Sequence, residues 1–234
     1  MDQSQQEQYV HPPGARQGVF LTLFNRSRSF VLLLALFLQI LLLPIGYPDS
    51  ILPLLLREVV IMAAVVMVAD TRRHLVAGLT LGIPTCIILI FTHGDSITAL
   101  DWVSYLMVVA LYAYVIWLML DRIFHAPAVT IDVIVMALCT YLMLGQVWMV
   151  FYAPLAILNP EAFSQPIVQQ GTDAGLTLTY FSYVTLTTLG YGDISPVSPW
   201  ARSLAILEAL TGTMFLAVLI SRLVGTYRSQ SEKE

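Results

Sequence analysis

Charge is what this chain has least of. Only 11% of its 234 residues are Asp, Glu, Lys or Arg, while 58% are hydrophobic. A soluble domain carries roughly 25% charge. Little room is left for a soluble domain, and the composition is that of an integral membrane protein held in a lipid bilayer. The net charge of −4 is uninformative beside where the charges sit, and no basic patch suggests a nucleic-acid partner. Cysteine is nearly absent. Cys86 and Cys139 both fall in apolar runs, which reads as two buried thiols rather than a disulfide. There is no His/Cys/carboxylate grouping at metal-ligand spacing and no Ser-His-Asp arrangement. An enzyme is not expected, nor an organic cofactor.

What is abundant is long apolar runs. About 20 mostly apolar residues cross the hydrocarbon core, and six stretches qualify: 30–47, 51–69, 75–92, 102–120, 131–157 and 200–226. A seventh, 176–187, is too short to span. It has the length of a re-entrant helix, which a membrane tolerates where protein or a water-filled cavity surrounds it. The expected fold is thus all-α and transmembrane, with six spanning helices, a re-entrant helix and the loop that follows it. The first run is long for a signal peptide and no small-x-small cleavage site follows it.

Basic residues orient the chain. Arg16, Arg26, Arg28, Arg72, Arg73, Arg122, Arg222, Arg228 and Lys233 all fall on one side if both termini are cytoplasmic. The opposite segments, 46–50, 93–101 and 159–199, contain no Lys or Arg. The expectation is a multi-pass protein of the cell membrane (plasma or inner), with the re-entrant loop entering from outside. Residues 1–28 form a cytoplasmic N-terminal segment, polar at first. Residues 29–125 form a four-helix transmembrane domain, 126–227 a second transmembrane unit, and 228–234 a short cytoplasmic tail.

The most specific stretch lies in that second unit: Thr185-Leu186-Thr187-Thr188-Leu189-Gly190-Tyr191-Gly192-Asp193-Ile194-Ser195-Pro196. Gly-x-Gly alone describes an ordinary turn. The threonine pair, the tyrosine and the aspartate around it narrow the reading. A Thr-x-Gly-Tyr-Gly strand can replace the water shell of a potassium ion with a ladder of backbone carbonyls. Aiming successive carbonyls at one axis requires alternating right- and left-handed backbone. Only glycine takes the left-handed form without steric cost, so two glycines at alternate positions suit the geometry. The expected ion sites are the carbonyls of Thr188, Leu189, Gly190 and Tyr191, with the Thr188 hydroxyl at the inner end and Gly192 completing the strand.

From about Ile131 onward the chain resembles the pore module of tetrameric potassium channels. Asp193-Ile194-Ser195-Pro196 and Trp200-Ala201-Arg202 are similar to the Asp-x-x-Pro and Trp-Gly-Arg of bacterial two-helix members. Gly212 is spaced from the filter like that family's hinge glycine. The resemblance implies that residues 126–227 form outer helix, turret, pore helix, selectivity filter and inner helix. It also implies a homotetramer, since one chain supplies one filter strand and a ring needs four. The sequence departs from the family at Val184, where a glutamate would pair with the filter aspartate. Asp193 needs another partner, for which the Tyr180 hydroxyl is the candidate.

Filter support is expected from several side chains. Thr172 or Asp173 can cap the pore helix, and its C-terminus at Thr187 presents the negative end of the helix dipole to a cation. Tyr180 and Phe181 are placed to pack around Tyr191. Gly212 reads equally as a bending point for the inner gate or as a close helix contact. Glu208 is an intramembrane carboxyl, costly and usually functional. It is either a filter support bonded to a pore-helix hydroxyl such as Thr185, or a proton sensor. Arg202, six residues earlier, lies about 9 Å away along the helix and is the structural alternative.

The fourth span has no basic residue between Trp102 and Leu120. A voltage sensor needs arginines repeating along one helix, so strong voltage gating is not expected. Arg57 and Glu58 are neighbours in span two and do not face each other; Asp101 and Asp132 are loose candidates as their partners. Pro84 should kink span three. With few residues after Arg222, no cytoplasmic ligand-binding domain is expected in cis, and the compact tail points to a prokaryotic source. The expected function is passive, potassium-selective conduction with K+ as the permeant ion. The alternatives are a potassium-uptake transporter subunit, or a membrane sensor in which the pore module is structural.

Overall fold

The computed structural model describes residues 29–42, 52–68, 72–91, 99–167 and 174–231. Among them the chain is helical: α1 (Ser29–Leu42), α2 (Leu52–Val68), α3 (Arg72–Phe91), α4 (Ala99–His125), α5 (Ile131–Leu158), a short 3-10 turn (Pro160–Ala162), α6 (Ala174–Leu186) and α7 (Pro199–Ser231). Three of these are long and apolar enough to cross a membrane, over Trp102–His125, Ile131–Leu158 and Pro199–Gly225. Thr172 and Asp173, expected to cap α6, lie outside the described residues.

The helix ends follow from local chemistry. Thr130 is extended (φ −105°, ψ 162°), and its hydroxyl accepts from the Val133 amide, with Asp132 in the first turn of α5. Both satisfy the positive end of a helix. Asn159 ends α5 by donating its N–H to the Leu155 carbonyl, and its side chain then accepts from Glu161 to start the 3-10 turn. Ser198 receives the Ala201 amide and Pro199 opens α7, a position where proline's missing N–H costs nothing.

Packing runs along the chain. α4 lies against α3 on one side and α5 on the other, α2 packs on α3 and α4, and α5 carries both α6 and α7. The core is Leu36, Ile61, Val108, Leu111, Val115, Met119 and Met143. Cys139 is buried, with its thiol 3.7 Å from the Ser29 carbonyl of α1. Arg57 is half-buried on α2 and engaged with a neighbour; the side chains of Glu58 and Asp101 lie outside the described set.

α5 is the axis on which the second unit is assembled. A Cβ on Gly145 would run into the Tyr183 ring, so glycine is what lets α6 lie close. Tyr183 donates to the Leu142 carbonyl at 2.8 Å and Ser182 to the Gly145 carbonyl at 2.7 Å. Beyond α5, residues 160–167 brace the loop before α7. Phe163 bridges to Pro196, Ser164 N–H donates to the Ser195 carbonyl at 2.8 Å, and Val197 N–H donates to the Ala162 carbonyl at 2.8 Å.

Candidate functional site: the loop between α6 and α7

At the end of α6 the backbone alternates in hand. Thr188 (φ 57°), Gly190 (φ 57°) and Gly192 (φ 80°) are left-handed, with Leu189 and Tyr191 between them. Such alternation turns successive carbonyls toward one side of the chain. The two glycines were expected in this conformation and Thr188 was not. A β-branched residue there is an outlier, at a cost on the order of 1–3 kcal/mol. The last carbonyls of α6 hold it in place. Thr188 N–H donates to Thr185 at 2.9 Å, and the amides of Leu189 and Gly190 both donate to Val184, at 2.9 and 3.2 Å. The loop is thereby an extension of α6, and whatever fixes α6 fixes the loop. Thr187 is exposed, its hydroxyl donating to the Tyr183 carbonyl at 2.7 Å.

Asp193 is gripped from two directions. The Tyr180 hydroxyl donates to its carboxylate at 2.7 Å, and the Gln165 amide donates to its backbone carbonyl at 3.0 Å. The Tyr180 bond holds the Asp193 carboxyl below its ordinary value of 3.8, because a hydrogen bond to the charged form favours that form.

Phe181, expected beside Tyr191, packs elsewhere. Its ring centroid lies 5.0 Å from Tyr152 and 5.2 Å from Phe163, edge to face in both cases. Tyr180 and Phe181 are adjacent on a helix and point apart, so Tyr180 takes the loop side while Phe181 is buried against α5. Tyr191 is exposed on the single chain.

Glu208 is fully buried in α7. Its partners are not Thr185 or Arg202. Tyr152 donates to Oε2 at 2.6 Å, and Oε1 lies 2.5 Å from the Ser182 hydroxyl oxygen. Ser182 precedes Thr185 by just under one turn of α6, and that rotation puts it on the face toward α7. Arg202 turns away, with Nε donating to the Pro196 carbonyl at 3.3 Å. One turn beyond Glu208, a Cβ on Gly212 would drive into the Leu186 carbonyl oxygen. Of the two readings of Gly212, close approach is the one with a visible partner. The pairs Glu208–Ser182 and Gly212–Leu186 are each spaced by four residues, so α6 and α7 meet in parallel along one stripe.

The sequence reading missed Ser182, Tyr152 and Gln165. It also missed Tyr141, whose hydroxyl donates to the Leu186 carbonyl at 3.2 Å. Ser182 carried no signal that Thr185 lacked, because helix rotation alone decides which of them faces Glu208. Gln165 carried none, because its contact depends on a long-range closure of two loops.

Residues 136–229 match the ion channel family model. The second unit of this chain is thus similar to an ion channel domain, and α4, α5 and α7 have the length and apolarity of membrane spans. Among curated proteins, the chain is 47% identical over 45 residues to two-pore potassium channel 5 of Arabidopsis thaliana, covering 19% of this chain and 11% of the relative. It is 31% identical over 93 residues to two-pore potassium channel 4 of the same plant, 40% and 33% of the two lengths. It is 48% identical over 42 residues to an inward rectifier potassium channel of Paramagnetospirillum magnetotacticum, 18% and 14% of the two lengths. The matched part spans a third or less of each relative's length.

Proposed function

We propose that four copies of this chain form a potassium-selective channel that conducts K+ passively across the cell membrane. The observation that carries this reading is the alternating left-handed backbone at Thr188, Gly190 and Gly192, within the Thr-Leu-Gly-Tyr-Gly-Asp run. Four such strands around an axis supply rings of carbonyls from Thr188, Leu189, Gly190 and Tyr191, with the Thr188 hydroxyl below them. Those oxygens replace the hydration shell, and ions advance in single file by mutual displacement. The potassium-channel names of the matched relatives support the choice of ion.

The tetramer is supported by what one chain leaves uncovered. Leu189 and Tyr191 are 56% and 67% exposed. Most of the apolar surface of α7 is uncovered, whereas more than half of α5 is buried. In the assembly α7 is the inner helix, α6 the pore helix and α5 the outer helix. α1–α4 complete six spans per chain, with both termini cytoplasmic. α4 has basic residues only in its last turn, Arg122 and His125, so the channel is not strongly voltage-gated. Protein reconstituted in potassium-loaded vesicles should release K+ down its gradient with no energy source and without saturating at low K+. Uptake that needs an energy source would point to a transporter, and no flux at all to a sensor.

A further inference from the structure

Glu208, Ser182 and Gly145 pose a proton-counting problem. A serine hydroxyl has one proton to give. Ser182 Oγ lies 2.7 Å from the Gly145 carbonyl oxygen and 2.5 Å from Glu208 Oε1. A carbonyl oxygen only accepts, so the Ser182 proton belongs on the Gly145 side. If it went to Glu208 instead, the Ser182 and Gly145 oxygens would face each other at 2.7 Å with no proton between them. The proton between Glu208 Oε1 and Ser182 Oγ must then come from Glu208 itself. The other carboxyl oxygen accepts from Tyr152 at 2.6 Å, which completes a consistent set: one donor, one acceptor, every proton used once.

The surroundings agree. Glu208 is fully buried, and among the described residues it forms no ion pair. The ionisable groups on α5 nearest to it are the phenols of Tyr152 and Tyr141. α6 offers Ser182, and Arg202 on α7 is turned to Pro196. An unpaired buried carboxylate is far costlier than a neutral acid with both bonds made.

We propose that Glu208 is carried as a neutral carboxylic acid that donates from Oε1 to Ser182 and accepts at Oε2 from Tyr152, making it a positioning residue for the filter. Through Ser182 the inner helix grips α6 four residues before Leu186, and Val184, between them, accepts the amides of Leu189 and Gly190. Through Tyr152 the same side chain grips the outer helix. The bond thus fixes α6, and with it the carbonyl ladder, against both neighbouring helices. This role rests on the channel reading above; the protonation state does not.

Two measurements separate these claims. Infrared difference spectra of wild type minus Glu208→Gln, at neutral pH, should show the C=O stretch of a protonated carboxylic acid, shifted in Ser182→Ala. A carboxylate band in its place would overturn the neutral acid whether or not the protein conducts. Bi-ionic reversal potentials test the positioning. Glutamine reproduces one donor and one acceptor, so Glu208→Gln should keep the K+/Na+ permeability ratio. Glu208→Leu, which strands the Tyr152 hydroxyl, should lower the K+/Na+ permeability ratio by roughly tenfold, the scale of one unsatisfied buried group. Loss of selectivity in Glu208→Gln, or wild-type selectivity in Glu208→Leu, would overturn the role. If Glu208→Leu fails to assemble, Ser182→Ala carries the same test, with a lowered ratio expected and an unchanged one contradicting.

Discussion

At the scale of single residues, space and backbone conformation make separate demands. A Cβ added to Gly190 or Gly192 would meet nothing within 4 Å, yet both backbones are left-handed. Alanine at either position is therefore strained by conformation alone, at about 1–2 kcal/mol per chain. Gly190→Ala or Gly192→Ala should abolish potassium-selective flux in vesicles while leaving the protein folded. Selective flux at wild-type level in either variant would remove these glycines from the ion path. Gly212 makes the opposite demand. It sits within an ordinary helix, but a Cβ there runs into the Leu186 backbone carbonyl. Gly212→Ala should destabilise by about 1–3 kcal/mol per chain, as overpacking does, seen as a lower melting temperature of the assembled protein. An unchanged melting temperature would favour a bending role for this glycine over packing.

Asp193 adds a titration at the same scale. The Tyr180 hydroxyl lowers its pKa below 3.8 in the folded protein. This stabilisation is present above the ordinary carboxylate range and lost as pH falls through the lowered value. At neutral pH the bond is intact. Tyr180→Phe should move Asp193 back toward its ordinary pKa, so that acid inhibition of flux from the Asp193 side sets in at higher pH than in wild type. A pH–flux curve that does not move would show that this bond does not hold the filter's end.

At the scale of elements, the sequence reading placed the helices well and the contacts between them poorly, for a physical reason. Apolar runs locate α4, α5 and α7, and the short run before Thr187 locates α6, because length and hydropathy are local properties. The Asp193–Tyr180 pair was legible too, since the departure at Val184 left Asp193 in need of a donor nearby. Partners that depend on helix rotation were not. Ser182 and Thr185 differ by three residues, and only the packed structure decides which faces Glu208. The left-handed Thr188 was equally hidden, because its cost is met by carbonyls of α6 that the motif does not specify. One absence is legible at this scale and carries a prediction. α4 bears Arg122 and His125 in its last turn and no ladder of arginines before them, so little charge can move through the field. The conductance–voltage relation should be shallow. A curve that moves several elementary charges per tetramer would reveal a sensor elsewhere in the chain.

At the scale of the whole molecule, the chain leaves uncovered the apolar surface that the proposed tetramer would bury. One strand presents Leu189 and Tyr191 to solvent, and α7 keeps most of its apolar surface uncovered. Its supports, by contrast, are internal to the chain: Asp193 held by Tyr180 and Gln165, Glu208 by Tyr152 and Ser182, Leu186 by Tyr141. In the proposed tetramer each chain would contribute one quarter of the site. The most direct test is the reversal potential of the purified protein in a planar bilayer with K+ on one side and Na+ on the other. The account predicts a reversal close to the value for potassium alone, with Rb+ able to replace K+. Equal permeability to K+ and Na+ would contradict it.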